Sequence, residues 1–156
     1  MISIEEYKQN PCEALSIPYW KAIDIIIPDN IKIIHNKNFD ETLFEKYSDK
    51  QYFRLFHRLN YVPDFSNNDF TYKMLSKEKT NEVADMINAS YSHTDVFVSA
   101  DYIKGLTETK VYFPELWIGA FDNTKLVGSI ICDLDTKIGE GIVEWLQVLP
   151  KYRGKG

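Results

Sequence analysis

The sequence predicts an α+β fold, in which a mixed, mostly antiparallel sheet carries flanking helices and follows an N-terminal hairpin/helix extension. Runs with the composition of strands occur at 23–35, at 70–75 and from residue 116 onward. Two segments between the later runs, 77–90 and 100–107, place apolar residues at helical spacing. With 156 residues, 44% of them hydrophobic, the chain is long enough to bury a core.

Composition limits the classes of function. The formal net charge of -5 argues against non-specific nucleic-acid binding. Cys12 and Cys132 are far apart and, like His35, His57 and His93, match no metal-ligand spacing, so no metal site is expected. The first residues are acidic rather than basic, and no apolar run is long enough to span a bilayer. These features favour a cytoplasmic protein with reduced thiols.

Residues 1–68 are interpreted as an accessory segment. It should contain a short helix over 4–9, a hairpin over 23–35, and a helix that Asp40 caps and that runs to about Leu59. A loop rich in asparagine, with one proline, then marks the boundary with a second unit over 69–156.

The second unit has a regular order of predicted elements. They are strand 70–75, helix 77–90 capped by Ser76, helix 100–107 capped by Ser99, strands 116–121 and 126–133 joined as a hairpin, and strand 142–148. Trp117 and Trp145 are expected to pack in the core or beside a substrate, and Cys132 to be a buried thiol. Asp133 and Asp135 are expected to be solvated near the hairpin end.

A basic, glycine-rich turn follows the last strand. The chain reads Leu149-Pro150-Lys151-Tyr152-Arg153-Gly154-Lys155-Gly156. A turn that opens a helix presents backbone N–H groups to an anion, and glycines let a phosphate approach the main chain closely. Neither of the other common phosphate-loop patterns is present. The turn therefore predicts a phosphate site, with a solvated basic tail as the alternative.

This turn and the strand order before it resemble the GNAT superfamily of acyl-CoA-dependent N-acetyltransferases. The family motif, Arg/Gln-x-x-Gly-x-Gly/Ala, is matched over its first four positions by 153–156. The Val-x-Pro entry to the turn and the hairpin from residue 117 to 130 are also similar to the family. The resemblance covers about 69–156, while 1–68 match nothing in the common core.

The resemblance implies an acetyltransferase that uses acetyl-CoA as co-substrate and a small-molecule or peptide amine as acceptor. It places the backbone of Leu146, Gln147 and Val148 along pantetheine, and Arg153, Gly154, Lys155 and Gly156 at the pyrophosphate. No nucleic acid or membrane partner is implied. The loop residues Tyr91, His93, Asp95 and Phe97 are a candidate lining for the mouth of the acceptor site.

Glu144 is the candidate general base. It is a carboxylate inside an otherwise apolar strand, where period-two alternation would place it on one face with Ile142, Leu146 and Val148. Several members of the resembled family use a glutamate on this strand as the base. A solvent-facing glutamate without a catalytic role is the alternative.

The motif stops at its fourth position, so the chain is interpreted as the N-terminal portion of the enzyme, with an incomplete core and little activity by itself. The last strand would then have an open edge, which predicts homodimerisation through that edge or cover by residues 1–68. Two alternatives remain, a non-catalytic GNAT-like scaffold or protein-binding module and a small domain unrelated to this family.

Overall fold

The computed structural model describes residues 2–62 and 69–155. The chain divides into two compact units, Met1–Pro63 and Asp64–Gly156.

The first unit begins with three short helices, α1 (Ile4–Gln9), α2 (Pro11–Ala14) and α3 (Tyr19–Asp24). The predicted helix at 4–9 is therefore confirmed. Its start is fixed by a reciprocal cap, since the Glu6 N–H donates to the Ser3 hydroxyl and the Ser3 N–H donates to the Glu6 carboxylate. Two 3₁₀ turns follow, at Asn36–Asn38 and Glu41–Glu45.

Arg54 holds the helical part of this unit together. Its guanidinium donates to the carbonyls of Pro11 and Leu15, both at 2.9 Å, and to the Tyr7 hydroxyl. Tyr7 is buried, and its ring centroid lies 5.1 Å from that of Tyr19. A single cation thus satisfies carbonyls at both ends of α2.

The hairpin predicted at 23–35 and the long helix predicted from Asp40 to Leu59 are both wrong. Residues 2–62 contain no strand, and Asp40 caps only the 3₁₀ turn that ends at Glu45. Apolar patterns form regular structure when they find a surface to pack against. Here Ile26 is 92% exposed and Phe53 is 94% exposed, so these patterns have no such surface.

The second unit is an antiparallel sheet covered by helices on one face. Its strands are β1 (Thr71–Met74), β2 (Tyr112–Asp122), β3 (Lys125–Asp135) and β4 (Glu140–Val148), in the order β1-β2-β3-β4. Helices α4 (Thr80–Ser90) and α5 (Ala100–Leu106) connect β1 to β2, with a 3₁₀ turn (Lys77–Lys79) before α4. The predicted α+β class and the predicted order of elements are confirmed.

Helices α4 and α5 cover one face of the sheet. The buried cluster between them includes Val83, Ile87, Ile103, Trp117 and Ile131. The Ser99 hydroxyl accepts from the Tyr102 N–H and begins α5 as predicted, whereas Ser76 makes no such side-chain cap. The helical spacing in the sequence therefore corresponds to real contacts with the sheet.

The opposite face of the sheet is apolar and partly exposed. Met74, Ile118, Ile130 and Leu146 are paired in one row across all four strands. Met74 is 65% exposed and Leu146 is 61% exposed. Residues directly opposite each other share a face, so this row lies away from the buried cluster.

Candidate functional site

A β-bulge in β4 determines where Glu144 lies. Trp145 pairs with Ile131 and Val143 pairs with Cys132, so Glu144 is the extra residue between them. A bulge places two consecutive residues opposite one partner. Glu144 therefore lies at the irregular point of the strand, directly before Trp145, which pairs with the buried Ile131.

The bulge corrects the predicted alternation. Leu146 pairs with Ile130 and Val148 with Gly128, so both lie on the exposed face, whereas Ile142 pairs with the buried Asp133 on the face that carries the helices. The expectation that Ile142 shares a face with Leu146 and Val148 is therefore wrong. Glu144, at the bulge between them, is half-buried.

The charge of Glu144 acts on the thiol of Cys132 on β3. Burial raises the pKa of Cys132, and the negative charges of Asp133 and Glu144 raise this pKa further. The thiol is half-buried rather than fully buried.

Asp133 and Asp135 are not solvated as expected. They are 1% and 8% exposed. The Asp135 carboxylate accepts from the Lys137 N–H at 3.0 Å, and the Gly139 N–H donates to the Asp135 carbonyl at 2.8 Å. Gly139, with a φ of +71°, closes the tight turn that follows Asp135.

The register decides which main-chain groups of β4 face its open edge. The Leu149 N–H donates to the Val127 carbonyl at 2.9 Å, and antiparallel ladders bond at every second residue. Gln147 therefore directs its main chain toward β3, while Leu146 and Val148 direct theirs away from the sheet. Of the three residues predicted to line pantetheine, these two have outward backbone groups. The Gln147 side chain is buried and donates to the Ser129 hydroxyl.

Two side chains cover the carbonyls at this edge. The Tyr91 hydroxyl donates to the Leu146 carbonyl at 3.1 Å, and Arg153 Nε donates to the Val148 carbonyl, also at 3.1 Å. Arg153 Nη2 donates to the carbonyl of Ser90, the last residue of α4, at 2.7 Å. Arg153 thus joins the end of a helix to the end of a strand.

The basic turn is anchored by Tyr152. A 3₁₀ turn (Pro150–Tyr152) follows β4, and the Tyr152 hydroxyl donates to the Asp122 carboxylate at 3.0 Å. This hydrogen bond raises the pKa of Tyr152. Lys155 Nζ lies 5.4 Å from the centroid of the Tyr152 ring. Gly154 has a φ of +71°, a conformation that favours glycine, and Gly156 lies outside the described residues.

An aromatic groove lies beside Trp145. It has a volume of about 250 Å³ and is lined by Phe97, Val98, Ser99, Tyr102 and Trp145. The Tyr102 and Tyr91 rings meet the Trp145 ring edge-on, with centroid distances of 6.5 and 6.2 Å. The loop predicted to line a substrate mouth thus contributes Phe97 to this groove and Tyr91 to its surroundings.

Sequence reasoning missed Tyr102 and the anchoring role of Tyr152. The sequence predicts that Tyr102 lies in the first turn of α5. Its contact with Trp145, however, depends on how the helix packs against β4. Across residues 2–62 and 69–155, no cluster of three or more His, Cys, Asp or Glu side chains could hold a metal ion. Those ranges also contain no helix that is long and apolar enough to cross a membrane.

Comparisons with known proteins give a likeness in structure and none in sequence. No protein-family model matches the chain, and no curated protein matches it. Among solved structures it is similar to Ard1 from Thermoplasma volcanium, at 16% identity and a TM-score of 0.45. The match covers 56% of this chain and 55% of that chain, so the chain spans about half of the length of this neighbour. An overlap of this extent carries no argument about function.

Proposed function

We propose that the chain carries part of the acyl-CoA site of an N-acetyltransferase of the GNAT type, which transfers an acetyl group from acetyl-CoA to an amine. The observation that carries the proposal is the continuity of two features. The outward main-chain N–H groups of Leu146 and Val148, whose carbonyls are covered by Tyr91 and Arg153, lead directly into the turn that contains Gly154 and Lys155. An extended ligand with amide groups and phosphates needs this sequence of contacts.

The turn fits a phosphate group in two respects. Within residues 2–62 and 69–155, and apart from the two chain neighbours of Gly154, no heavy atom lies within 4 Å of where its Cβ would stand, so the main chain can be approached closely. Lys151 and Lys155 are exposed cations beside it. Arg153, in contrast, already donates to protein carbonyls, so its role in the proposal is to hold the turn in place.

Glu144 has the role of general base in this proposal. Acetyl-CoA, when bound, supplies the activated acyl group, whose carbon–sulfur bond breaks as the amine nitrogen forms the amide. The acceptor ammonium must first lose a proton, which Glu144 takes up directly or through water, and the departing sulfur takes up a proton. The support for this role is that Glu144 directly precedes Trp145, which lines the aromatic groove.

The proposal is tested by calorimetric titration of the chain with acetyl-CoA. We expect micromolar binding, weakened about tenfold by Lys155→Ala because a charge-assisted contact to phosphate is lost. Lys137→Ala is the matched control, since it removes an exposed cation from the turn at the other end of β4. The proposal would be contradicted if millimolar acetyl-CoA gave no heat of binding. It would also be contradicted if Lys155→Ala and Lys137→Ala lost affinity for acetyl-CoA equally.

A non-catalytic scaffold that binds another protein is the second candidate. It is favoured by the engagement of Arg153 with Val148 and Ser90, and by the exposed apolar face around Met74 and Leu146. The two candidates differ in the acetyl-CoA titration, because a scaffold gives no heat with this ligand.

A further inference from the structure

A second groove, the hairpin-tip groove, lies between α4 and the tip of the β2–β3 hairpin. It has a volume of about 500 Å³, which is within the range of small-molecule sites. Its lining includes Asp85 and Met86 from α4, Thr124, Lys125 and Leu126 from the hairpin, and Leu149 from the end of β4. It shares no lining residue with the aromatic groove, so it is a separate feature of the surface.

The floor of the hairpin-tip groove is apolar. Met86 and Leu126 are 5% and 6% exposed, and both belong to the buried cluster between the helices and the sheet. Their positions are therefore fixed by packing before any ligand arrives. Leu149, which is half-buried, extends this apolar surface toward the end of β4. An apolar group placed on this floor leaves water, and such burial is favourable.

The rim of the groove carries one available charge of each sign. A second acidic residue of the lining, Glu82, is already engaged, because Lys79 Nζ lies 2.6 Å from its carboxylate. The Asp85 carboxylate is exposed, and within residues 2–62 and 69–155 no side chain forms an ion pair with it. Lys125 is exposed on the hairpin, with its Nζ 5.9 Å from the centroid of the Tyr152 ring. The groove thus presents a carboxylate and an ammonium group to a ligand.

We propose that the hairpin-tip groove binds a free apolar α-amino acid in its zwitterionic form. The ligand ammonium donates to the Asp85 carboxylate, and the ligand carboxylate accepts from Lys125 and from the Thr124 hydroxyl. The ligand side chain lies on Met86 and Leu126. A ligand with one charge satisfies only one side of this rim, whereas a zwitterion makes a charge-assisted hydrogen bond on each side.

The order of residues on the two walls supports this assignment. Asp85 directly precedes Met86 on α4, and Lys125 directly precedes Leu126 on the hairpin. Each wall therefore combines one exposed charge at the rim with one buried apolar side chain at the floor. An α-amino acid has the matching arrangement, since its two charged groups and its apolar side chain leave the same carbon atom.

The site is tested by NMR titration of the full chain with leucine and with phenylalanine, in the absence of acetyl-CoA. The backbone amide signals of Asp85, Lys125 and Leu149 report on the two walls and on the end of β4. We expect at least one of these amino acids, at millimolar concentration, to shift all three signals. If neither amino acid shifts them, the inference is overturned.

The ligand class is tested with three analogues of leucine. 4-Methylpentanoate lacks the ammonium group, isopentylamine lacks the carboxylate, and glycine lacks the apolar side chain. Each should bind at least about tenfold more weakly than leucine, because one of the three complementary contacts is lost. Binding of any of these analogues as tight as that of leucine would show that the groove does not recognise an apolar zwitterion.

Variants that remove one rim charge test the two assigned contacts. Asp85→Asn and Lys125→Met should each weaken leucine about tenfold, since a charge-assisted hydrogen bond is lost. Asp101→Asn and Lys104→Met make the same changes of charge at exposed positions on α5, and these controls should bind leucine as the original chain does. Full affinity in both rim variants, or an equal loss in the controls, overturns the inference.

The outcome is separable from that of the acetyl-CoA titration, because the two proposals assign different residues. If leucine shifts the three signals but acetyl-CoA gives no heat, the amino-acid site stands and the acetyltransferase proposal fails. If acetyl-CoA binds but neither leucine nor phenylalanine does, the acetyltransferase proposal stands and the amino-acid site is wrong.

Discussion

The Tyr91 hydroxyl donates to the main-chain carbonyl of Leu146 at 3.1 Å, between residues 55 positions apart in the sequence. Arg153 makes the equivalent contact with the carbonyl of Val148. An open strand edge is a template for another strand because its carbonyls and N–H groups are accessible. Here side chains already occupy two outward carbonyls of β4, so these two acceptors are engaged within the chain.

Removing both side-chain donors should therefore promote self-association through β4. We predict that the double variant Tyr91→Phe/Arg153→Met forms larger species in sedimentation velocity at protein concentrations where the original chain does not. Tyr72→Phe is the control, since it removes a hydroxyl from an exposed ring on β1. Identical sedimentation of the double variant and the original chain would show that these contacts do not protect the edge.

We predict that Arg153 contributes to the stability of the fold and Lys155 to the binding of acetyl-CoA. Arg153→Lys keeps the charge but loses the planar group that bonds Val148 and Ser90 together, so the free energy of unfolding should fall by about 1–3 kcal/mol. Urea unfolding followed by tryptophan fluorescence measures this change. Lys155→Ala should leave the urea midpoint of unfolding unchanged, but it should weaken the binding of acetyl-CoA. If the Lys155→Ala variant were less stable than the original chain and the Arg153→Lys variant equally stable, the roles assigned to Arg153 and Lys155 would be wrong.

Alanine substitutions at Gly119 and Gly105 should change stability in opposite directions. A Cβ on Gly119 would lie 2.7 Å from Leu126 Cδ1, 2.8 Å from Phe121 Cε2 and 2.9 Å from Leu75 Cδ2. Gly119→Ala should therefore destabilise the unit by about 1–3 kcal/mol through overpacking. A Cβ on Gly105 in α5 meets nothing within 4 Å, so Gly105→Ala should stabilise by about 0.5–1 kcal/mol. Urea midpoints that shift in the same direction for both variants would contradict this account.

The rate of alkylation of Cys132 should report the effect of the Glu144 charge on this thiol, and the measurement needs no substrate. In a Cys12→Ser background, the rate of alkylation by iodoacetamide should rise with a midpoint above pH 9.0, because burial and nearby carboxylates raise the pKa of Cys132. Glu144→Gln removes one of these charges and should move the midpoint downward. Glu115→Gln, at an exposed position on β2, is the control and should leave it unchanged.

The same pKa shift has a consequence for stability. The folded chain holds the Cys132 proton more tightly than the unfolded chain, whose thiol has a pKa near 9.0. The free energy of unfolding should therefore be unaffected by this group below pH 9 and should fall as pH rises through the folded-state pKa. Cys132→Ala should reduce this loss in thermal unfolding at alkaline pH. An unchanged pH dependence would contradict the assignment.

The sequence predicted those elements whose apolar pattern finds a partner in the fold. The stripe of α4 and the alternation of β2 and β3 correspond to one buried cluster, so local pattern and tertiary packing agree. Between Ile23 and Leu59 similar patterns predicted a hairpin and a helix, but after the end of α3 at Asp24 these side chains are largely exposed and regular structure is limited to short 3₁₀ turns. Pattern alone cannot distinguish these cases, because it does not reveal whether a complementary surface exists.

The candidate site was predictable in its chemistry but not in its geometry. The basic turn and Glu144 are visible as residue types in the sequence. The bulge at Glu144 depends on the pairing with β3, and the local sequence Val143-Glu144-Trp145 does not predict it. The engagement of Arg153 with Ser90 likewise depends on how α4 packs, 63 positions earlier in the chain.

The hydrogen bond from Tyr152 to Asp122 makes the basic turn dependent on the tip of the β2–β3 hairpin. The turn cannot be treated as a portable motif, because its position is set by a residue that lies outside the motif. A protein engineer who transfers residues 149–156 to another scaffold would need to supply an acceptor equivalent to Asp122. Conversely, changing the length of that hairpin offers a way to reposition the turn without altering any of its own residues.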